Sequence, residues 1–160
     1  MTPDIGINEK NREEVIKILN ALLSDEYLLY TQTRKYHWNV FGAHFNDLHK
    51  FFQGQYEELD DVVDDVAERT RALGGVAYGT MEEFLKHTRL KEEPGENPES
   101  PKMVENLLKQ HEHVIKNLRN DLEACATRYL DAGTSDFLTQ LMEKHEKMAW
   151  MLRAAISNKP

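Results

Sequence analysis

Residues 45–75 read FNDLHKFFQGQYEELDDVVDDVAERTRALGG. Apolar side chains recur through this stretch at steps of three and four residues, which is the spacing of one face of an amphipathic helix. They are Phe45, Leu48, Phe52, Tyr56, Leu59, Val63 and Val66. Gly42 precedes the pattern and Gly74-Gly75 follows it, and glycines at such positions favour the ends of helices. The stretch therefore predicts one long helix between two breaks.

Three further stretches have the same periodicity. Residues 9–39 predict a first long helix, with a broad apolar face that includes Ile16, Leu19, Leu23, Tyr27 and Tyr30. Ser100-Pro101 offers an N-cap and a proline at the first helical position for a third helix, which is expected to end near Gly133. Thr134-Ser135-Asp136 can cap a fourth helix, whose apolar stripe is Leu138, Leu141, Met148, Leu152 and Ala155.

The segment between the second and third helices is a long crossover. Residues 76–100 contain two prolines and one short apolar cluster, Met81, Phe84 and Leu85, which predicts a helix of two turns. The connections are then short, long and short, which is typical of a ferritin-like bundle. The sequence predicts an all-α, ferritin-like four-helix bundle with a short extra helix in the crossover between the second and third long helices. Its length suits a single domain, 1–160.

Composition limits the class of protein. The formal net charge of −8 disfavours a free-standing nucleic-acid binder and suits the attraction of metal cations. Cys125 is the only cysteine, which excludes an intrachain disulfide and a site built from several cysteines, and favours the cytoplasm. The N-terminus has no signal-peptide pattern and no run of 18 apolar residues occurs, so we expect neither export by that route nor a membrane span.

The second helix carries seven carboxylates within twelve residues: Glu57, Glu58, Asp60, Asp61, Asp64, Asp65 and Glu68. By number alone they indicate a solvated helix face. Asp64 and Glu68, however, are four residues apart on one face, and the same polar stripe runs back to His49 through Asp60, Glu57 and Gln53. Carboxylate and imidazole together suit divalent iron, manganese or zinc.

His37 and His49 are spaced equally about residue 43, beside the Gly42 turn. A helical hairpin would bring them level, whereas on one straight helix they would be about 18 Å apart. His49 and Asp64 are separated by about 22 Å of helix, so the two pairs cannot bind one metal within one chain. They are independent, or they meet between two chains related by a two-fold axis. Taken singly, each histidine is more simply a surface or packing residue.

A second metal site is conceivable inside the bundle. His111 and His145 fall on the apolar stripes of the third and fourth helices, and Glu26 lies near the buried face of the first. Larger ferritins use Glu-x-x-His pairs, and this sequence contains none. We therefore interpret His111 and His145 as core histidines that are hydrogen-bonded to their neighbours.

Several stretches resemble the signature of the Dps miniferritins, named for DNA-binding proteins from starved cells. The central ones are HWNVFGAHFNDLHKFF and DDVVDDVAERTRALGG, from residues 37 and 60. The resemblance extends upstream through ALLSDEYLLY and downstream through GTMEEFLKHTRLKEE and KHEKMAWMLRA, so that it covers nearly the whole chain.

The resemblance implies a ferroxidase that oxidises ferrous iron, with hydrogen peroxide as the favoured oxidant, and stores ferric mineral in a hollow homo-oligomer of twelve subunits. It implies a site between two-fold-related subunits, with His37 and His49 from one chain and Asp64 and Glu68 from the other. Many members have an acidic residue where this chain has Gln53. An amide binds iron more weakly than a carboxylate, so the second iron position is expected to fill only transiently or through water.

Two other positions take roles from the resemblance. Trp38 adjoins His37, and a tryptophan here lies near the iron site and takes up stray oxidising equivalents; packing at an interface is an equally good interpretation. Asp136 matches a position that lines the three-fold pore for iron entry. A carboxylate in the first turn of a helix would also complement the helix dipole, and both roles can hold together.

DNA binding is expected to be weak or absent. Family members that bind DNA often use a lysine- or arginine-rich tail, because phosphate contacts supply most nonspecific affinity. The first fourteen residues hold only Lys10 and Arg12 against four acidic residues, and the C-terminal AAISNKP has one lysine. Three hypotheses result: an iron-oxidising storage shell, a DNA-compacting structural protein, and a helical assembly module without metal chemistry. Ligand spacing and tail composition favour the first.

Overall fold

A computed structural model describes residues 3–157, all of whose regular elements are helical. The helices are α1 (Glu9–Asn39), α2 (Phe45–Ala72), α3 (Met81–His87), α4 (Ser100–Glu123) and α5 (Ala132–Ile156). Helix α1 packs along α2, and α4 packs along α5. The short α3 lies in the crossover, against α1. The predicted all-α bundle of four long helices with a short extra helix is confirmed.

Local sequence accounts for most of the helix ends. The Asn8 side chain accepts a hydrogen bond from the Asn11 amide, which caps α1. Gly42 has φ of +98° in the turn between α1 and α2, a conformation that side-chain-bearing residues rarely adopt. Thr80 and Glu83 form a capping box at the start of α3. The predicted apolar stripes supply the core, in which Leu19, Phe52, Leu107 and Leu138 are fully buried.

A buried ionic network attaches the crossover to the bundle. Asp25 on α1 is fully buried and accepts hydrogen bonds from the Thr88 hydroxyl and from the backbone amide and Nε of Arg89. Arg89 also bonds Asp121 on α4, at 2.8 Å. Because a buried charge is costly unless it is paired, these contacts define the path of the chain between α3 and α4.

The sequence-based boundaries of the last two long helices are wrong by several residues. Helix α4 ends at Glu123 and continues as a π-helical turn, Ala124–Arg128, in which the Tyr129 amide bonds the Ala124 carbonyl. The chain then reverses at Leu130, whose φ is +57°. The N-cap of α5 is Asp131, which accepts from the Thr134 amide, so residues 133 to 136 lie within the helix. Asp131 therefore takes the capping position expected of Thr134, while the π-helical turn and the reversal at Leu130 end the preceding helical segment before the expected stop at Gly133.

The start of α4 differs by one residue. Ser100 is its first residue, the N-cap is Glu99, and no side chain makes a capping hydrogen bond there. Pro101 lies in the first turn as expected, because proline has no amide proton to leave unpaired.

Across residues 3–157, none of the helices is both long and apolar enough to span a lipid bilayer.

Candidate metal centre

The turn at Gly42 folds α2 back along α1 and brings His37 and His49 together. Their rings stack with centroids 3.8 Å apart and planes inclined by 25°. His37 is buried and His49 is half-buried. The sequence-based expectation that a hairpin would bring these two histidines level is confirmed.

Each of these histidines is held by the backbone of the other. Nδ1 of His37 bonds the carbonyl of His49 at 2.8 Å, and Nδ1 of His49 bonds the carbonyl of His37 at 2.9 Å. A carbonyl oxygen only accepts hydrogen bonds, so each Nδ1 is the donor. In a neutral ring this places the free lone pair on Nε2, and such a bond at the other nitrogen is how proteins orient a metal-binding histidine. The pair is therefore suited to bind a metal through its two Nε2 atoms.

The acidic half of the expected site lies farther along α2. Asp64 and Glu68 are both exposed, and within residues 3–157 neither side chain has a hydrogen-bond or ion-pair partner. They lie on one helix with His49, fifteen residues or more away, so the chain does not bring them to the histidines. Among the described residues, no three His, Cys, Asp or Glu side chains are grouped closely enough to hold a metal ion. One chain thus presents two separate half-sites.

Gln53 follows His49 by one helical turn and is half-buried. Its Nε2 donates a hydrogen bond to Oε1 of Glu57 at 2.8 Å. The amide oxygen is then the only atom of this side chain that could bind a cation, and it is uncharged. The position that follows the histidine pair is therefore a poor metal ligand.

A second pair of histidines lies in the centre of the bundle. Nδ1 of His111 and Nδ1 of His145 are 2.9 Å apart, and Nε2 of His145 lies 2.9 Å from Oε1 of Glu26. All three side chains are fully buried. They form a hydrogen-bonded chain rather than a convergent set of ligands, so their interpretation as core histidines bonded to neighbours is confirmed.

The two ends of this buried chain lack partners. Nε2 of His111 and Oε2 of Glu26 are both buried without a hydrogen bond from any described residue. Burial lowers the pKa of His111 well below its usual 6.5, and the neighbouring His145 lowers it further. His111 is consequently neutral at pH 7.

Trp38 and Asp136 lie where they contact solvent. Trp38 follows His37 in the chain and is 63% exposed, and the Arg34 guanidinium lies over its ring. Asp136 is exposed and accepts a hydrogen bond from Gln140. Because α5 begins at Ala132, Asp136 is not in the first turn, and the expected interaction with the helix dipole is wrong.

The sequence analysis assigned no role near the site to Arg34, Tyr30 or Tyr56, although the ring of Tyr56 contacts the ring of His37. The Arg34 guanidinium is enclosed by the rings of Tyr30, Trp38 and Tyr56. Tyr30, Arg34 and Trp38 occur at steps of four residues, a spacing that places them on one face of a helix. That spacing is the sequence feature that could have identified this cluster.

Comparison with known proteins identifies the class. The family described as the ferritin-like domain matches residues 16–159, so the chain belongs to that family. Within it, the histidine hairpin and the relatives described next make the chain a member of the Dps miniferritins. Membership supports a role in iron storage and implies iron binding.

The relatives cover almost the whole chain. An uncharacterised low temperature-induced protein of Nostoc sp. is 46% identical over 157 residues, which is 98% of this chain and 88% of that protein. DNA protection during starvation protein 2 of Bacillus anthracis is 36% identical, over 91% of this chain and 98% of that one. The crystal structure of a Dps protein from Vibrio cholerae, described as a ferritin-like diiron-carboxylate protein, is 28% identical with a TM-score of 0.91, over 98% and 97% of the two chains.

Proposed function

We propose that this protein is a ferroxidase that oxidises ferrous iron between two of its subunits and stores the ferric product in a hollow shell. His37 and His49 of one subunit supply two imidazole nitrogens, and Asp64 and Glu68 of a second subunit supply carboxylates. The observation that carries the proposal is the reciprocal pair of Nδ1 bonds, which leaves both Nε2 atoms free for a cation. The exposed carboxylates of Asp64 and Glu68, which have no ion-pair partner within the described part of the chain, supply the missing charge.

Geometry favours a site shared between subunits over a site within one. A two-fold axis that sets two α1–α2 hairpins antiparallel would place each histidine pair against the other chain's Asp64 and Glu68, forming two sites per dimer. The closed shell of twelve subunits follows from the family resemblance, as does Asp136 as part of the iron-entry pore. Within one subunit the two half-sites stay about 22 Å apart along α2.

The chemistry suits iron as a substrate that binds, reacts and leaves. Imidazole and carboxylate ligands bind ferrous iron, and carboxylates stabilise the ferric state further. Two ferrous ions each give one electron to hydrogen peroxide, whose oxygens leave as water after taking up two protons. Paired delivery avoids release of a hydroxyl radical. The ferric ions then pass to the acidic interior and mineralise.

Anaerobic loading with ferrous iron followed by hydrogen peroxide tests this function. The native protein is compared with a His37→Ala, Asp64→Ala double variant whose assembly is checked by gel filtration. We expect rapid oxidation and soluble ferric product only in the native protein, because the variant lacks a ligand from each half-site. Equal oxidation by both would place the catalytic metal elsewhere and make the His111–His145 region the next candidate.

DNA binding is not part of the proposed function, although relatives carry DNA-protection names. Lys10 and Arg12 belong to α1 rather than to a tail, and Arg12 is 6% exposed with its guanidinium bonded to the Leu73 carbonyl. Lys159 lies outside the described residues. We expect no retardation of plasmid DNA at neutral pH in about 0.15 M salt, where exposed charges more than a Debye length apart are screened. Clear retardation in a gel-shift measurement would support the DNA-compacting alternative.

A further inference from the structure

A cavity of about 560 Å³ opens between α2 and α5. This volume lies within the range of about 300 to 1,000 Å³ that is usual for clefts that bind small molecules. Phe51 on α2 and Met148 and Met151 on α5 give the cavity an apolar side. Two polar contacts connect the helices here: Gln55 Nε2 donates to the Met148 carbonyl, and Lys144 Nζ lies 3.2 Å from Oε1 of Glu58.

Gly54 leaves part of the cavity without a side chain. It lies in the interior of α2, where glycine is less favourable than alanine because it loses more backbone freedom on folding. A Cβ placed on Gly54 would meet open space, so packing within the described chain does not require glycine at this position. Bare helix backbone beside open space is a surface that a flat ring can approach closely.

The buried end of the Gln55 side chain lacks a hydrogen-bond donor. Gln55 lines the cavity and is 4% exposed, and its Oε1 accepts no hydrogen bond from any described residue. A buried acceptor without a donor is costly. A donor that enters with a bound molecule, on the molecule itself or on an accompanying water, would remove this cost.

The charged side chains of the cavity are mainly positive. Lys50, Lys144 and Lys147 lie in its lining against one carboxylate, Glu58, which is paired with Lys144. Within residues 3–157, Lys50 and Lys147 have no ion-pair partner. Unpaired positive charge beside an apolar surface is complementary to an anion that has an apolar body, and it stands out in a chain of formal net charge −8.

We propose that this cavity binds a small aromatic carboxylate. The ring lies against Gly54 and Phe51 and meets the thioethers of Met148 and Met151, because sulfur and aromatic rings make favourable contacts. Lys50 and Lys147 supply the charge that the carboxylate needs. The inference does not rest on the proposed function, because none of these residues belongs to the candidate metal centre.

Calorimetric titration of the assembled native protein with naphthoate tests the proposal. We expect saturable binding in the native protein and none in Gly54→Leu, whose side chain would fill the space beside α2. Gly54→Leu should fold and assemble, because leucine is the better helix former and the space is open. Gel filtration checks the assembly. Gly79→Leu, at a second glycine that borders open space, should bind naphthoate as the native protein does.

A second comparison tests the role of charge. A Lys50→Gln, Lys147→Gln double variant should bind naphthoate about tenfold more weakly, because two ion pairs with the carboxylate are lost. Lys116→Gln removes an exposed lysine of α4 and should leave the affinity unchanged. Naphthalenemethanol, which has the same ring without the charge, should bind the native protein as weakly as naphthoate binds the double variant.

Several results would overturn the proposal. They are the absence of naphthoate binding in the native protein, native affinity in Gly54→Leu, and native affinity in the double lysine variant. Decanoate that binds as tightly as naphthoate would overturn the aromatic assignment. Naphthoate binding that depends on Gly54 in a protein that oxidises no iron would support this cavity while the proposed function failed.

Discussion

Two pairs of histidines lie in contact in this chain, and their hydrogen bonds suit them to different roles. In the hairpin pair, His37 and His49, each Nδ1 donates to a backbone carbonyl, and neither Nε2 has a hydrogen-bond partner among residues 3–157. In the core pair, His111 and His145 bond each other, and the remaining nitrogen of His145 bonds Glu26. The hairpin pair lies at the end of the bundle, whereas the core pair is fully buried.

The difference shows that a free nitrogen alone does not make a metal ligand. Among residues 3–157, Nε2 of His111 has no hydrogen-bond partner, and the same is true of the Nε2 atoms of the hairpin pair; His111, however, is fully buried and lies against His145. A ligand needs a lone pair, a fixed direction and access for the ion together. Only the hairpin pair combines the three.

The largest effect on iron oxidation should come from changing Asp64, one of the two carboxylates that a second subunit would supply to the hairpin pair. Asp64→Asn keeps size and helix propensity but removes the charge that binds ferrous iron, so rapid oxidation should fall by at least about 100-fold. The rate is measured by stopped-flow absorbance after addition of peroxide. Asp65→Asn makes the same change at the next residue of α2, where we expect a near-native rate. Unchanged kinetics in Asp64→Asn would defeat the site assignment.

A substitution in the core pair should change the stability of the protein rather than its iron-oxidation activity. His145→Ala removes a buried ring and leaves the buried Glu26 side chain without its hydrogen-bond partner, which should lower the free energy of unfolding by about 3 to 5 kcal/mol. The measurement is urea unfolding at fixed protein concentration, with iron oxidation assayed well below the midpoint. His113→Ala, on the exposed side of α4, should change stability by less than about 0.5 kcal/mol. Loss of iron oxidation in a correctly assembled His145→Ala protein would give the core pair a catalytic role.

The smallest effect is a pH dependence that belongs to His111. The pKa of His111 is lowered in the folded protein, mainly by burial. Below pH about 6.5, His111 therefore binds a proton in the unfolded chain but not in the folded chain. The free energy of unfolding should therefore fall as pH decreases from about 6.5, by up to about 1.4 kcal/mol per unit, with no such effect at higher pH.

His111→Gln should remove this contribution to the slope, and His113→Gln, two residues away and exposed, should keep it. Urea unfolding at pH 7.5 and at pH 5.5 makes the comparison. Equal slopes in the native protein and His111→Gln would mean that the acid sensitivity arises from other groups.

Much of the fold could be predicted because it depends on spacing along the chain. The apolar periods of α1 and α2 and the glycine between them place those helix ends correctly. The region from Glu123 to Asp136 could not be predicted in the same way. There the chain forms a π-helical turn, reverses at Leu130 and begins α5 with the Asp131 cap. These features depend on local hydrogen bonds, which the spacing of apolar residues does not reveal.

The sequence by itself determined the helices, the level placement of His37 and His49 across the Gly42 turn, and the separation of that pair from Asp64 and Glu68. These follow from the constant rise of a helix. Only the tertiary structure decided which histidine nitrogen is bonded, that Glu26 pairs with His145, and that Tyr56 lies against His37. Such contacts depend on the rotation and register of one helix against another, and packing of whole faces sets both.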